Sequence, residues 1–207
     1  MKAYPSISTQ VDLSLPYHIF DKLDGSNIRA EWSPKRGFYK FGSRTQLLTP
    51  DQKPLWPVVA RIQAMEELLG PALSKLRTER AVCFFEWAGP NSFAGRHTDP
   101  EDKMQASLLD VAVYKKGLLP PQKVLDIAAA SDVKTPSLLH QGRINQDFLD
   151  QVRAGSLPGI SLEGVIGKGP VDRAAGGPVM FKHKSQAWFD RLAQMCAGDT
   201  ALFDRLK

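Results

Sequence analysis

Hydrophobic positions along this chain follow two rhythms. Over residues 26–32, Ile28, Ala30 and Trp32 alternate with Arg29 and Glu31, the period-two pattern of a strand with one buried face. Residues 18–24 form a strand before it, joined at Asp24-Gly25, and GFYKFGSRT reads as a third strand ending at Gly42. AVCFFEWAG and SLLDVAVYK are apolar strands carrying one acid each, Glu86 and Asp110. SLEGVIGKG and PVMFKHK are two more, set between glycine-rich turns. A helical period places Val58, Val59, Ile62, Met65, Leu68 and Leu69 on one side of a helix over 58–69. PPQKVLDIAAAS opens on prolines and predicts a second helix. NQDFLDQVRAG predicts a third, capped by Asn145 and stopped by Gly155. SQAWFDRLAQMC predicts an amphipathic helix with Ser185 as its cap. Residues 50–57 read as a loop, 1–16 as a polar extended arm, and 17–207 as a single domain. Strands dominate without βαβ alternation, so the expected class is α+β on antiparallel sheets.

With 43% hydrophobic and 24% charged residues, the chain can bury a core without staples. A net charge of +5 is a mild bias toward polyanions, equally explained by a slightly basic soluble protein. Cys83 and Cys196 lack CxxC spacing, which argues against a zinc site or redox pair. There is no Walker loop, GxGxxG, GxSxG or HExxH, and His18, His97, His140 and His183 are scattered. The first residues lack the apolar segment of a signal peptide and no run is long enough to span a bilayer. The expected location is therefore the cytoplasm, with no membrane partner.

Four predicted strands carry ionisable residues that a plain core would not want: Lys22 with Asp24, Glu86, Glu163, and Lys182 with Lys184. Taken singly, each is more often a solvent-facing strand position. Residues two apart share a strand face, so Lys182 and Lys184 project together, as do Lys22 and Asp24. Together the set suits a nucleoside triphosphate with a divalent metal, lysines for phosphates and carboxylates for ribose hydroxyls or metal.

In this order, Lys22-Leu23-Asp24-Gly25, Glu86 in FFEWAG, Glu163-Gly164-Val165-Ile166 and Lys182-His183-Lys184 resemble the covalent nucleotidyltransferases, the polynucleotide ligases and mRNA capping enzymes. Asn27, five residues after the lysine, and Arg44 in FGSRT are similar to the RNA ligase branch that includes the second RNA ligase of phage T4. The resemblance implies an antiparallel-sheet nucleotidyltransferase catalytic domain, an ATP-grasp-like ligase fold, without an OB domain. It implies an ATP-dependent RNA ligase in which Lys22 becomes lysyl-AMP and Lys182 and Lys184 are the catalytic cations. Nucleotide contacts would come from Leu23, Asn27, Arg44, Glu86, Glu163, Lys182 and Lys184, with Asp24 and Gly25 in support. Glu163 would also serve Mg2+ or Mn2+. The implied substrate is RNA with 5′-phosphate and 3′-hydroxyl ends, with an accessory protein as a further expected partner because little chain follows Lys184. Before Asp110 stand Ser107, Leu108 and Leu109, where the superfamily stacks an aromatic on the base. The alternatives are a ligase for DNA or hybrid nicks, an enzyme that stops at lysyl-AMP, and a non-catalytic nucleotide- or RNA-binding module. Trp32, Phe38, Tyr39 and Phe41 beside Lys35, Arg36 and Lys40 have the composition of a base-stacking surface, though sheet packing is the commoner fate of such residues.

Overall fold

The computed structural model describes residues 1–49, 55–172 and 174–207, so positions 50–54 of the predicted loop at 50–57 lie outside the described residues. Nine strands are described: β1 (Pro16–Asp21), β2 (Ser26–Ser33), β3 (Gly37–Gly42), β4 (Ala81–Ala88), β5 (Gln105–Val113), β6 (Gly117–Leu118), β7 (Leu138–Arg143), β8 (Gly164–Asp172) and β9 (Gly177–Lys184). Six α-helices accompany them: α1 (Pro57–Ala64), α2 (Glu66–Ser74), α3 (Pro121–Ala130), α4 (Gln146–Ala154), α5 (Gln186–Cys196) and α6 (Thr200–Leu206). Two sheets, ordered β3-β2-β4-β5-β6 and β7-β1-β8-β9, account for all the described strands and leave none for an OB domain in this chain. No described helix is long and apolar enough to cross a membrane.

The chain divides into two compact units, each assembled from three separate segments. The first comprises Met1–Ser6, Gly25–Pro136 and Val171–Pro178; the second comprises Ile7–Asp24, Ser137–Pro170 and Val179–Lys207. The strands either side of Asp24-Gly25 belong to different sheets. β1 pairs antiparallel with β7 and β8, whereas β2 pairs antiparallel with β3 and β4.

In the first unit the apolar residues of β2 share one buried face as the alternation predicts, but Arg29 and Glu31 on its other face are buried too. Ile28, Ala30 and Trp32 of β2 and Cys83, Phe85 and Trp87 of β4 form one core with residues of α1, α2 and α3. Phe38 and Phe41 are buried there too, so these aromatics pack the sheet. Tyr39 is half-buried, its hydroxyl donating to Glu31 and its ring lying 4.0 Å from the Arg36 guanidinium. The helix predicted over 58–69 is broken at Met65, between α1 and α2. Glu66, at the start of α2, accepts from the Trp32 indole N–H at 2.9 Å and the Phe38 amide at 3.1 Å. These two bonds anchor the new helix to β2 and β3.

The opposite sheet face is polar. Register places Asn27 opposite Glu86, Glu86 opposite Ser107, and Phe84 opposite Asp110. A register shift between Phe84 and Phe85 leaves Leu109 without an opposite number and turns Asp110 onto the face of Glu86. The Tyr4 hydroxyl donates to Asp110, and its ring centroid lies 4.9 Å from that of Phe84. Burial, then the charge of Asp110, push the Tyr4 hydroxyl well above its ordinary value. The residues read as an extended arm thus pack on this sheet at their start.

In the second unit Tyr17, Ile19, Val165 and Phe181 pack against Leu149 and Val152 of α4. The Asn145 side chain accepts from the Phe148 amide at 2.9 Å and Gly155 ends α4 at φ 70°, as the capping residues predicted. After Lys184 the chain forms two helices. Ala197 at φ 47° and Gly198 at φ 90° stop α5, and Asp199 caps α6.

Candidate active site

Three predicted residues from distant parts of the sequence meet in the second unit. β1 ends at Asp21, so Lys22 and Asp24 lie in an irregular link beyond the strand and do not share a strand face. The Lys22 amide donates to the Gly164 carbonyl at 2.9 Å, which keeps the link alongside β8. Glu163 likewise sits just before β8. Its Oε2 accepts from Lys22 Nζ at 2.8 Å and its Oε1 pairs with Lys184 Nζ at 2.9 Å. The side chains of Lys22, Glu163 and Lys184 are 22%, 5% and 8% exposed. Two ammonium groups thus share one carboxylate, and the sheltered trio carries one surplus positive charge. Burial holds Lys184 below its ordinary value; the charges of Lys22 and Lys182 act the same way and Glu163 opposes them.

Glycine at position 164 permits this approach. Gly164 has φ 137°, and a Cβ there would lie 2.1 Å from the His183 carbonyl oxygen. Ser185 then ties the two chain segments together, its amide donating to the Glu163 carbonyl at 3.0 Å and its hydroxyl to the Leu162 carbonyl at 2.5 Å. Gly164→Ala is expected to destabilise the protein by about 3 kcal/mol, through positive-φ strain plus a clash with backbone. Denaturant titration measures it, and a loss below about 0.5 kcal/mol would show that the segments separate freely.

Lys182 lies two residues before Lys184 on β9 and donates to the Lys207 carbonyl at 3.5 Å. The Asp24 carboxylate accepts from the Trp188 indole N–H at 2.6 Å, and Lys184 Nζ lies 3.3 Å from the Trp188 ring centroid. Leu23 is half-buried in the same link.

The remaining predicted residues belong to the first unit. Asn27 and Glu86 are cross-strand partners, and Asn27 Oδ1 is buried without a hydrogen-bond partner among the described residues. Such an atom favours a polar ligand that can donate to it. A Cβ at Gly25 would lie 2.4 Å from the Trp87 carbonyl, so glycine lets the start of β2 lie close against β4. Arg44 is exposed in a loop closed by the Ser43 amide on the Gln46 carbonyl at 2.9 Å. Ser107 is on the Glu86 row and Leu108 is in the core, while Phe84 and Tyr4 supply aromatics to the polar face.

Sequence reasoning missed Trp188 and Tyr4. Trp188 was read only as part of an amphipathic helix, and no local pattern links it to a carboxylate 164 residues away. Tyr4 stood in a segment read as a polar arm. Among the described residues there is no group of three or more His, Cys, Asp or Glu able to hold a metal. Both oxygens of Glu163 are already engaged by lysines.

No curated protein matches the chain. Among solved structures, it is similar to Naegleria gruberi RNA ligase in several forms. A variant with AMP and Mn is 15% identical, with a TM-score of 0.65 over 92% of this chain and 58% of that one. The form with PPi is 16% identical, with a TM-score of 0.64 over 92% and 58%. A variant with ATP and Mn is 17% identical, with a TM-score of 0.61 over 86% and 51%. The chain thus spans between 51% and 58% of the length of these solved ligases, and the likeness establishes the shared fold. The family model described as RNA ligase matches residues 15–184, which include every predicted site residue from Lys22 to Lys184. The chain belongs to the RNA ligase family.

Proposed function

We propose that this chain is the adenylyltransferase core of an ATP-dependent RNA ligase, with Lys22 as the residue that carries AMP. The observation that carries this reading is the pairing of Lys22 and Lys184 on the single buried carboxylate of Glu163. A lysine attacks phosphorus only as the neutral amine. Two ammonium groups on one carboxylate leave one charge unbalanced, and loss of one proton from the pair relieves it.

The neutral Lys22 amine attacks the α-phosphorus of ATP. A P–N bond forms as the nitrogen gives up one proton to solvent, the bond from the α-phosphorus to the bridging oxygen breaks, and pyrophosphate leaves with the electron pair. Lys184 and Lys182 stabilise negative charge on the phosphoryl oxygens as it develops. Glu163 holds Lys22 and Lys184 in register. ATP arrives as its magnesium or manganese complex, the ion held chiefly by the phosphates. The solved ligases with ATP or AMP and Mn support that choice of substrate. Glu86 and Asn27 take the ribose and phosphate of the nucleotide, and Leu23 and Arg44 complete its contacts. AMP then passes to the 5′-phosphate of an RNA end, and a 3′-hydroxyl displaces it to seal the strand.

Incubating the purified chain with ATP and magnesium or manganese is expected to add the mass of one adenylate. Pyrophosphate is expected to remove it. Absence of an adduct with every common nucleoside triphosphate would overturn the reading.

A further inference from the structure

Trp188 touches two members of the lysine-carboxylate group at once. It lies in the first turn of α5, is 1% exposed, and stands beyond the segment matched by the family. Its N–H edge donates to the Asp24 carboxylate at 2.6 Å and its π face lies 3.3 Å from the Lys184 ammonium. Lys184 pairs with Glu163, Glu163 with Lys22, and Lys22 is two residues from Asp24. The contacts therefore close a ring that returns to its starting point.

This ring has a fixed base. Ser185 accepts from the Trp188 amide at 3.1 Å while its own amide and hydroxyl hold the 162–163 segment. The indole is thereby held relative to Glu163 as well as to Asp24. A buried indole N–H needs one acceptor, and any carbonyl would serve. Here the acceptor is a carboxylate on the link that bears Lys22, and the ring face meets a cation, as indole faces do.

We propose that Trp188 is a positioning residue for adenylyl transfer, setting Lys22 through the Asp24 bond and Lys184 through its ring. The inference rests on the function proposed above. Its two contacts have separable consequences. The N–H bond steadies the nucleophile, which governs the rate once ATP is bound. The ring steadies a phosphate-binding cation, which governs ATP binding as well.

The test is single-turnover self-adenylylation, followed by intact mass across a range of ATP concentrations. Trp188→Phe keeps a ring and loses the N–H. Its rate at saturating ATP is expected to fall roughly ten-fold, the loss of a charge-assisted hydrogen bond, with half-saturation unchanged within about two-fold. Trp188→Leu loses both contacts and is expected to raise half-saturation several-fold in addition. Asp24→Ala removes the same bond from its other end, so Asp24→Ala with Trp188→Phe should be no slower than the slower single variant. Thermal melts accompany each variant, and Asp24→Ala carries the test if Trp188→Phe does not fold. A Trp188→Phe rate within about two-fold of the wild type, or costs that multiply in the double variant, would overturn the inference. Wild-type protein that forms no adduct would instead overturn the functional reading, and this inference with it.

Discussion

Lys22→Ala is expected to abolish the proposed AMP adduct and to leave the fold at full strength. Lys22 is one of two ammonium groups on Glu163, and its removal leaves a one-to-one buried pair with Lys184. Truncation of one member of an ion pair ordinarily strands a charge, but here it removes a surplus one. Unfolding free energy is therefore expected to stay within about 1 kcal/mol of the wild type. Lys22→Arg is expected to be equally inactive, because a guanidinium does not reach the neutral form. Intact mass and denaturant unfolding check both halves. An adduct that persists in Lys22→Ala moves the nucleophile elsewhere.

Glu163→Gln is expected to show the reverse combination, lost adenylylation together with a destabilisation of about 3 kcal/mol. The amide leaves two ammonium groups facing each other, one of them only 8% exposed. The deficit should also depend on pH, and its sign follows from Lys184. The folded-state value of Lys184 is already held below its ordinary 10.5, and Glu163 opposes that shift. In the window between the folded value and 10.5 the unfolded chain binds more protons, so stability rises with pH there. Removing Glu163 deepens the shift and widens the window downward. The deficit relative to wild type should therefore shrink as pH climbs through the added part of the window. Unfolding at neutral and alkaline pH measures it, and a deficit that is constant with pH would show that Lys184 does not feel the lost carboxylate.

The residues that pair around Glu163 could be singled out in the sequence because they are ionisable side chains beside apolar strand segments. Lys184 ends β9, on the strand the sequence predicts, whereas Glu163 stands one residue before β8 rather than within it. Their pairing through one carboxylate could not be read, since it depends on a glycine that lets two backbones touch. The capped helices α4 and α5 were legible because Asn145, Gly155 and Ser185 act through their nearest neighbours. β7, with the sequence LLHQGR and a largely exposed surface, has too little apolar alternation to announce itself. The break at Met65 was hidden for a different reason. Apolar periodicity continues through it, and the bonds from Glu66 to Trp32 and Phe38 that fix it are long-range.

The interleaved segments of the two units set a schedule for the chain as it is synthesised. β1 emerges before its hydrogen-bonding partners β7 and β8, which follow only after residues 25–136 have been made. The first unit waits in turn for Val171–Pro178. An N-terminal fragment ending anywhere before that stretch holds unpaired strand edges and neither complete unit. Closing such distant segments costs loop entropy before any contact repays it, so folding should be slow for the chain's size. Lys22 consequently leaves the ribosome 141 residues ahead of the Glu163 carboxylate with which it pairs.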